Sequence, residues 1–390
     1  MGDFSSLFTQ DREIFFLNAG TQSRTPLAVL DWMRSARDRS EMNPTKAMVQ
    51  SFPALWEVQK RLAVFLGAEP ADLFLRANVT AAFNDFLFAL PMAAGAEILT
   101  NDHEYGAISN LARWRAQQER LGFRSFALPM HPAGDDAVVA ACLAALKPET
   151  KVFLISHVAT GTGAVLPIAK IAESLRERGI AVLVDGAHAV GALPLALREL
   201  GAVDFYGGNF HKWFLGPAGT GFGWVNPRWR GKLEWKFGGW GSFGIPPSYG
   251  TFGEGDAEAA LRLMPGTIDP IPFLALGTVL DFWQEKGAEK IRAQQRKWRD
   301  LAASLAETQG WVRACPSEPG RMGPLVSFAR PVGWGDGPAI ELATRIYREC
   351  NVQLALPQVG NKPLVRLSPG VYSRENEVEE GMSRLMKFSV

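Results

Sequence analysis

Seven short apolar segments, each ending in polar residues or glycine, constrain the fold of this chain more than any other feature. Several are flanked by segments with helical periodicity; in 53–67, for example, Leu55, Val58 and Leu62 share one face and Gly67 supplies the stop. Near-continuous apolar strands that alternate with helices are typical of a mostly parallel sheet covered on both faces. The sequence therefore predicts an α/β domain of about seven strands, in segments 73–78, 97–102, 125–130, 151–158, 180–187, 204–209 and 219–225.

The texture of the sequence changes near residue 270. A long helical segment, 273–310, is followed by short strand-like segments such as LVSFAR (325–330) and LVRLSP (364–369). A chain of 390 residues is long enough for one large domain and a smaller one. We therefore predict an N-terminal arm (1–16), a large domain that holds the site (17–270), and a connecting helix with a small α/β C-terminal domain (271–390).

Charge and cysteine content exclude several classes of function. Lys and Arg total 41 against 40 Asp and Glu, so no charge excess predicts a nucleic-acid or membrane partner. The three cysteines, Cys142, Cys315 and Cys350, lack metal-ligand spacing, which favours a reducing compartment without disulfides and predicts no metal site. The N-terminus is acidic where a signal peptide is basic, and no apolar run reaches membrane length, so we expect a cytoplasmic protein.

Polar side chains follow the predicted strands, at the edge where an open α/β sheet binds its ligand. They are Asn78, Thr80, Asp102 to Tyr105, His157, Thr160, Asp185, His188, and Asn209 to Lys212. Lys212 stands among glycine, aromatic and aliphatic residues, where an unpaired ammonium group is costly. We expect this lysine either to carry its charge to the surface or to be used for its amine.

Two nucleotide sites fit the sequence poorly. The P-loop pattern is absent, and glycines 216, 219, 221 and 223 lack the third glycine of a dinucleotide loop. Pyridoxal phosphate fits better, because it needs a lysine for a Schiff base, a carboxylate at its ring nitrogen, and a phosphate cradle. Lys212 and Asp185 meet the first two needs, and the helix start at 77–83 favours an anion.

Eight segments in order carry a family resemblance. They are FLNAGTQSRTP, RLAVFLGAEPADLFLRANVTAAFN, LTNDHEYGA, ISHVATGTGAVLPI, VLVDGAHAVG, GGNFHKWFLGPAGTGF, MPGTIDPIP and LVRLSPGVYSRENEVE. Together they resemble the class V branch of the fold type I pyridoxal-phosphate enzymes, and within it the isopenicillin N epimerase-like proteins of the cysteine desulfurase-like superfamily. The resemblance covers most of the chain. It implies a transferase-like fold with a large domain built on a mostly parallel seven-stranded sheet and a smaller α/β C-terminal domain.

The resemblance implies a cofactor role for each matching residue. Lys212 would form the Schiff base and move the α-proton, Asp185 would pair with the ring nitrogen, and Tyr105 would stack on the ring. Thr160 would lie by the ring hydroxyl, and His188 would hydrogen-bond Asp185 or the cofactor. Thr80, Asn209 and His211 would hold the phosphate, with Asn78 and Val79 also in the cofactor-binding set. Thr267 would reach the phosphate of a neighbouring subunit, which implies a homodimer with shared sites.

The same resemblance implies the substrate side of the site. Arg366 would receive a carboxylate through a bidentate fork. The N-terminal segment departs from the family at Gln22 and Arg24, which puts identity with the penicillin-pathway epimerase in doubt. The substrate-binding candidates are Asn18, Gln22, Arg24, Trp240 and Arg366.

Each candidate also has a purely structural alternative. Asp185 could be a strand-end cap, and His188 a satisfied core histidine. Tyr105 could be ordinary packing, and Arg366 a surface charge on an edge strand. Thr267 could be a helix N-cap. The aromatic residues of the loop at 235–243 (Trp235, Phe237, Trp240 and Phe243) could line a substrate pocket or pack in a core or an interface.

The cofactor alone does not choose the reaction. We expect an amino-acid enzyme of the epimerase or racemase type, acting through an external aldimine and α-proton abstraction, with Tyr105 or the aromatic loop as the second proton donor. The alternatives are a carbon–sulfur β-lyase, an aminotransferase, and a non-catalytic binding protein with the same fold. A desulfurase is disfavoured, because 357–363 contains no cysteine and Cys350 lies at a predicted helix end.

Overall fold

A computed structural model describes residues 3–239, 242, 258–261, 266–318, 320–335 and 337–389. Trp240 and Phe243, the two loop aromatics proposed for a substrate pocket or packing role, lie outside the described residues. Within the described residues, no helix is both long enough and apolar enough to cross a membrane. The same residues contain no cluster of His, Cys, Asp and Glu suited to a metal ion.

Strands and helices alternate along most of the chain. The strands are β1 (Phe15–Phe16), β2 (Leu73–Arg76), β3 (Glu97–Asn101), β4 (Gly122–Phe126), β5 (Thr150–Ser156), β6 (Ala181–Asp185), β7 (Phe205–Asn209), β8 (Gly221–Val225), β9 (Val326–Ala329), β10 (Val352–Gln353), β11 (Gln358–Val359) and β12 (Lys362–Leu367). The helices are α1 (Leu27–Met42), α2 (Pro44–Leu66), α3 (Val79–Ala89), α4 (Gly106–Glu119), α5 (Asp135–Ala144), α6 (Ile168–Arg176), α7 (Glu258–Leu261), α8 (Ile271–Leu274), α9 (Leu276–Lys286), α10 (Ala288–Thr308), α11 (Ala339–Cys350) and α12 (Glu375–Lys387).

Seven strands form the central sheet in the order β2-β8-β7-β6-β5-β3-β4. Strand β8 runs antiparallel to both of its neighbours, and the other adjacent pairs are parallel. All residues of β6 and β7 are buried, as expected where helices cover both faces of a sheet. The predicted fold, an α/β domain with a mostly parallel seven-stranded sheet, is confirmed.

Two elements differ from their predicted limits. The strand expected at 125–130 is β4, which ends at Phe126, shortly before Pro129; a proline has no N–H to donate to a strand ladder. The helical segment 273–310 is divided into α8, α9 and α10. Gly287 separates the last two helices with a φ of 82°, which lies outside the right-handed helical region.

The C-terminal part has its own sheet and core. Strands β11, β12 and β9 form an antiparallel sheet with β12 in the centre. Trp298 of α10, Phe328 of β9 and Met382 of α12 belong to one buried apolar cluster beside this sheet. Strand β1 pairs in parallel with β10, so the predicted N-terminal arm contributes a strand to this part of the molecule. The domain limits at residues 16 and 270 stay a prediction.

Candidate active site

A cavity of about 300 Å³ lies at the carboxyl ends of the central strands. Ser156, Asp185 and Gly207 lie side by side across β5, β6 and β7, so the residues that follow these strands open onto the same edge. The start of α3, the N-terminal loop at Gly20 and Thr21, and Arg366 of β12 complete the wall. The site therefore lies at the carboxyl ends of the strands, as expected for an open α/β fold. It also includes a residue of the C-terminal sheet, Arg366.

Lys212 and Asp185 both face this cavity. Asp185 ends β6 with 3% of its surface exposed, and one of its carboxylate oxygens accepts the Ala187 N–H at 2.7 Å. Burial raises the pKa of Asp185, while the Ala187 hydrogen bond and Lys212 oppose the rise. Burial lowers the pKa of Lys212 to about 8, and Asp185 acts in the opposite direction. The amine is therefore partly uncharged near neutral pH and available as a nucleophile or base.

His188 connects Lys212 to two neighbours. Its Nε2 lies 3.2 Å from Lys212 Nζ and 3.0 Å from Thr160 Oγ1, and its Nδ1 accepts the Trp213 Nε1–H at 3.2 Å. Burial and the charge of Lys212 hold the pKa of His188 well below its usual range. The histidine is thus a neutral, fully hydrogen-bonded part of the cavity wall, in contact with Lys212.

A cradle for an anion lies at the start of α3. The Asn78 side chain accepts the Ala81 N–H at 2.9 Å, and the Asn209 side chain accepts the Val79 N–H at 2.8 Å, which ties the end of β7 to the helix. Thr80 and His211 face the same space. Burial lowers the pKa of His211 to about 4, and its buried Nδ1 has no hydrogen-bond partner among the described residues. The Val79 and Ala81 N–H groups are already bonded to these side chains, and the helix N-terminus together with the Thr80 hydroxyl and the His211 ring suits a phosphate group.

Arg366 reaches the cavity from the centre of the C-terminal sheet. One guanidinium nitrogen donates to the Thr160 carbonyl at 3.1 Å and to Thr160 Oγ1 at 3.2 Å. Another donates to Thr21 Oγ1 at 2.8 Å and to Asn18 Oδ1 at 3.3 Å. Because Arg366 is buried and β12 is a central strand, it is not a surface charge on an edge strand. Burial lowers its pKa to about 10, so it stays cationic and suited to a carboxylate.

Tyr105 and Glu104 stand between β3 and α4. The ring of Tyr105 is 44% exposed and faces the cavity, with its centroid 6.0 Å from Lys212 Nζ. Glu104 lies behind it, where one carboxyl oxygen accepts the Ser156 hydroxyl at 2.6 Å and the Tyr105 N–H at 2.7 Å. Burial and the charge of Asp185 raise the pKa of Glu104 to about 8. An exposed ring at a cavity mouth is free to stack on a bound group.

Four candidates do not line the cavity: Asn18, which still accepts a hydrogen bond from Arg366, and Gln22, Arg24 and Thr267. Arg24 points to the rings of Phe16 and Tyr372, with its guanidinium carbon 4.9 Å from the Tyr372 centroid, a cation–π contact. Gln22 and Thr267 are both exposed, and neither lines the cavity. Thr267 is not the N-cap of α8, since that position belongs to Pro270.

Some site residues were not singled out from the sequence. Thr21, which accepts a hydrogen bond from Arg366, is one of them. Glu104, which lies beneath Tyr105, belongs to the predicted polar run Asp102 to Tyr105 but was given no role of its own. Trp213, which donates a hydrogen bond to His188, gave no signal in the sequence, since a tryptophan beside a lysine usually indicates ordinary packing. Conversely, two histidines at strand ends make structural hydrogen bonds. His157, after β5, lies 2.9 Å from the Tyr206 hydroxyl, and His103 is hydrogen-bonded to the Leu128 carbonyl.

Pyridoxal phosphate, the cofactor expected from the sequence, fits these residues. The cavity places a buried amine with a lowered pKa near a buried carboxylate, and it adds an anion cradle with an unsatisfied imidazole nitrogen. A buried carboxylate is stabilised by a protonated pyridine, and a buried imidazole nitrogen by a phosphate oxygen. Lys212 would hold the cofactor, Asp185 its ring nitrogen, and the start of α3 its phosphate.

Sequence comparison places this geometry among known proteins. The family model for class-V aminotransferases matches residues 14–333. The chain is 33% identical to an isopenicillin N epimerase of Streptomyces clavuligerus, over 95% of this chain and 93% of that protein. It is 34% identical to an isopenicillin N epimerase of Amycolatopsis lactamdurans, over 97% of this chain and 96% of that protein.

The fold has close structural counterparts. A cystine C–S lyase, solved with its reaction product cysteine persulfide, superposes with a TM-score of 0.84 at 24% identity, over 97% of this chain and 99% of that chain. A variant of the same counterpart carries glycine covalently linked to its pyridoxal-phosphate cofactor. At this level of identity the likeness establishes the fold.

Proposed function

The chain belongs to the class-V aminotransferase family, whose members are pyridoxal-phosphate enzymes, and we propose that it epimerises or racemises an amino acid. The observation that carries the proposal is the likeness to two isopenicillin N epimerases over nearly the whole chain. Both relatives are matched over at least 93% of their own length, so the substrate side as well as the cofactor side is included in the comparison.

The bound cofactor acts as an electron sink for the carbon next to the amino group. The protein must then remove the α-proton and return it. Lys212 suits the first role, because its amine is buried, faces the cavity, and has a pKa lowered to about 8. A base with a pKa near the working pH combines a large free-base fraction with useful basicity.

Inversion at the α-carbon also needs a proton donor on the opposite face. Tyr105 is the candidate among the described cavity residues, because its ring faces the cavity from α4 while Lys212 comes from the loop after β7. Arg366 would hold the substrate carboxylate, and its bonds to Thr160, Thr21 and Asn18 fix the direction of the guanidinium group. A fixed carboxylate orients the α-proton toward one of the two groups.

A carbon–sulfur β-lyase is the second candidate. It is supported by the shared fold with a cystine C–S lyase. The segment 357–363, where a desulfurase would carry its nucleophilic cysteine, contains no cysteine, which disfavours a desulfurase as the alternative. Both reactions begin with the same proton removal by Lys212, so products rather than the site distinguish them.

The test is solvent exchange with product analysis. The purified holoenzyme is incubated in D₂O with single enantiomers of a panel of amino acids, and deuterium at the α-carbon and enantiomeric composition are measured. We expect exchange with growth of the opposite enantiomer, and loss of exchange in Lys212→Ala. Accumulation of pyruvate and ammonia together with sulfide, a thiol or a persulfide would replace the epimerase by the lyase. A keto acid formed in step with the amination of an added keto acid would replace it by an aminotransferase.

The cofactor is tested by borohydride. Reduction followed by peptide mapping should leave a pyridoxyl group on Lys212 and none in Lys212→Ala. A protein that stays colourless with added pyridoxal phosphate and shows no modified peptide would support the remaining hypothesis, that the protein is a non-catalytic binding protein.

We further propose a cytoplasmic homodimer with shared sites. Thr267 is exposed and lies outside its own cavity lining, which suits a residue that serves a neighbouring subunit. Cys142, Cys315 and Cys350 are all buried free thiols, which suits a reducing compartment.

A further inference from the structure

The contact between Trp213 and His188 links the residue after the lysine to the state of the lysine itself. The Trp213 Nε1–H points to His188 Nδ1 at 3.2 Å, in a fully buried position. An indole nitrogen can only donate a hydrogen bond. His188 Nδ1 must therefore accept, and in a neutral imidazole the single N–H then resides on Nε2.

We propose that Trp213 is a positioning residue: it fixes the Nε2–H tautomer of His188 and thereby keeps the Lys212 amine in its free-base form. His188 Nε2–H lies between Thr160 Oγ1 at 3.0 Å and Lys212 Nζ at 3.2 Å. A neutral amine accepts this N–H through its lone pair. An ammonium group has no lone pair, so its N–H groups and the His188 Nε2–H would be two donors facing each other without an acceptor.

The opposite tautomer would have the opposite effect. With its proton on Nδ1, His188 would present a lone pair to Lys212 and accept a hydrogen bond from an ammonium group, which favours the charged lysine. The Trp213 N–H excludes this arrangement, and it excludes the doubly protonated imidazolium for the same reason. The other charged or titratable groups that act on His188 and Lys212 are Asp185, Arg366, His211 and the Tyr105 ring, and none of them contacts Nδ1.

The inference deepens the proposed function, since it explains how the proposed base is held uncharged. The inference rests on the proposed function only for the catalytic purpose that the free-base lysine serves. The tautomer itself is a property of the cofactor-free protein, so it can be measured without substrate or turnover.

The first measurement is nitrogen NMR of the cofactor-free protein labelled with ¹⁵N-histidine. The chain contains only five histidines, so the ring signals are few, and His188→Gln identifies the pair that belongs to His188. We expect a protonated Nε2 and an unprotonated Nδ1 in the wild type. In Trp213→Phe we expect Nδ1–H to appear, alone or in a mixture.

The second measurement is the pH dependence of Lys212 acetylation in the cofactor-free protein, followed by mass spectrometry. Losing the Trp213 donor lets His188 accept from the ammonium form, so the apparent pKa of Lys212 should rise by about one unit in Trp213→Phe. Trp224→Phe is the matched control, because it removes a similar buried indole whose Nε1 has no hydrogen-bond partner among the described residues. The control variant should change neither the His188 tautomer nor the apparent pKa of Lys212.

The outcomes are separable from those of the proposed function. An Nδ1–H tautomer in the wild type, or an unchanged tautomer and lysine pKa in a folded Trp213→Phe, would overturn the inference and leave the epimerase proposal standing. If Trp213→Phe does not fold, an Nδ1–H tautomer in the wild-type spectrum would still overturn the inference. Absence of racemisation would overturn the proposed function without touching the tautomer.

Discussion

Glu104 shows how single residues in this site depart from their behaviour in water. Its carboxyl group is buried beneath Tyr105, and burial together with Asp185 raises its pKa to about 8. Ser156 and the Tyr105 N–H occupy one oxygen, and the other oxygen has no hydrogen-bond partner among the described residues. The group is therefore largely protonated at neutral pH, and Asp185 is spared a second negative charge nearby.

This protonation makes folding stability depend on pH. The unfolded carboxyl has a pKa near 4.5 and the folded one is higher, so between about pH 4.5 and 8 the folded state retains a proton that the unfolded state releases. The contribution of Glu104 to the free energy of unfolding should accordingly fall as pH rises through this window, by on the order of one kcal/mol per pH unit. The buried histidines His157 and His211, whose pKa values are lowered to about 4, contribute in the opposite sense below about pH 6.5.

Glu104→Gln should remove this contribution, so the difference in unfolding free energy between wild type and variant should change with pH, because glutamine keeps an acceptor oxygen for Ser156 but has no proton to lose. The measurement is urea unfolding at several pH values between 5 and 8, on wild type and variant. Glu149→Gln, at an exposed position, serves as the control and should keep the wild-type slope. An equal slope in Glu104→Gln would show that the pH dependence arises elsewhere.

At the scale of elements, the turn after β6 and the loop after β7 determine the site together. The turn carries His188 and the loop carries Lys212 and Trp213. Gly191, in the same turn, has a φ of 82°, and a Cβ there would lie 2.5 Å from the backbone of Trp213 and Phe214. The absence of a side chain at this position lets the two segments approach closely enough for the His188 contacts to form.

Gly191→Ala should therefore be more damaging than an equivalent glycine change elsewhere. Gly179 provides the match, with a φ of 68° and no atom within 4 Å of a Cβ. Both variants incur the cost of a left-handed alanine, roughly 1–2 kcal/mol, and Gly191→Ala adds an overpacking cost of about 1–3 kcal/mol. Denaturant unfolding measures the difference, and equal destabilisation of the two variants would contradict the packing argument.

At the scale of the whole molecule, the site is assembled from distant parts of the chain. Arg366 comes from the C-terminal sheet, Asn18 and Thr21 from the N-terminal loop, and Lys212 from the central sheet. The proposed homodimer would extend this assembly across subunits through Thr267. Because such sharing is a property of the pair of chains, mixing two inactive variants can test it.

Lys212→Ala and Thr267→Arg should each be inactive as homodimers, yet their mixture should regain part of the activity. In a hybrid, the chain with an intact lysine meets a partner with an intact threonine, so one of the two sites is complete. Activity after co-refolding is the readout. A mixture of Lys212→Ala with Asp185→Ala is the control, since both residues serve their own chain and no complete site can form. No recovery in the first mixture, from chains that do dimerise, would remove Thr267 from the neighbouring site.

The family and the cofactor were predictable because their signals are local. Apolar strands ending in polar residues, the order of the motifs, and a lysine in an apolar segment all stand in short stretches of the chain. The confirmed predictions, a class-V pyridoxal-phosphate enzyme on a mostly parallel seven-stranded sheet, rest on these stretches. The roles of individual site residues stay predictions, although Lys212, Asp185, Thr80 and Arg366 do face one cavity.

What the sequence determined by itself is thus which segments form strands and which residues stand at their ends, because periodicity and strand ends follow from neighbours along the chain. Only the tertiary structure decided that Arg24 turns to Tyr372 while Arg366 enters the cavity, that burial raises the pKa of Glu104, and that Trp213 donates to His188. Those facts depend on burial and on hydrogen-bond partners contributed by remote segments. Burial and remote partners exist only once the chain has folded.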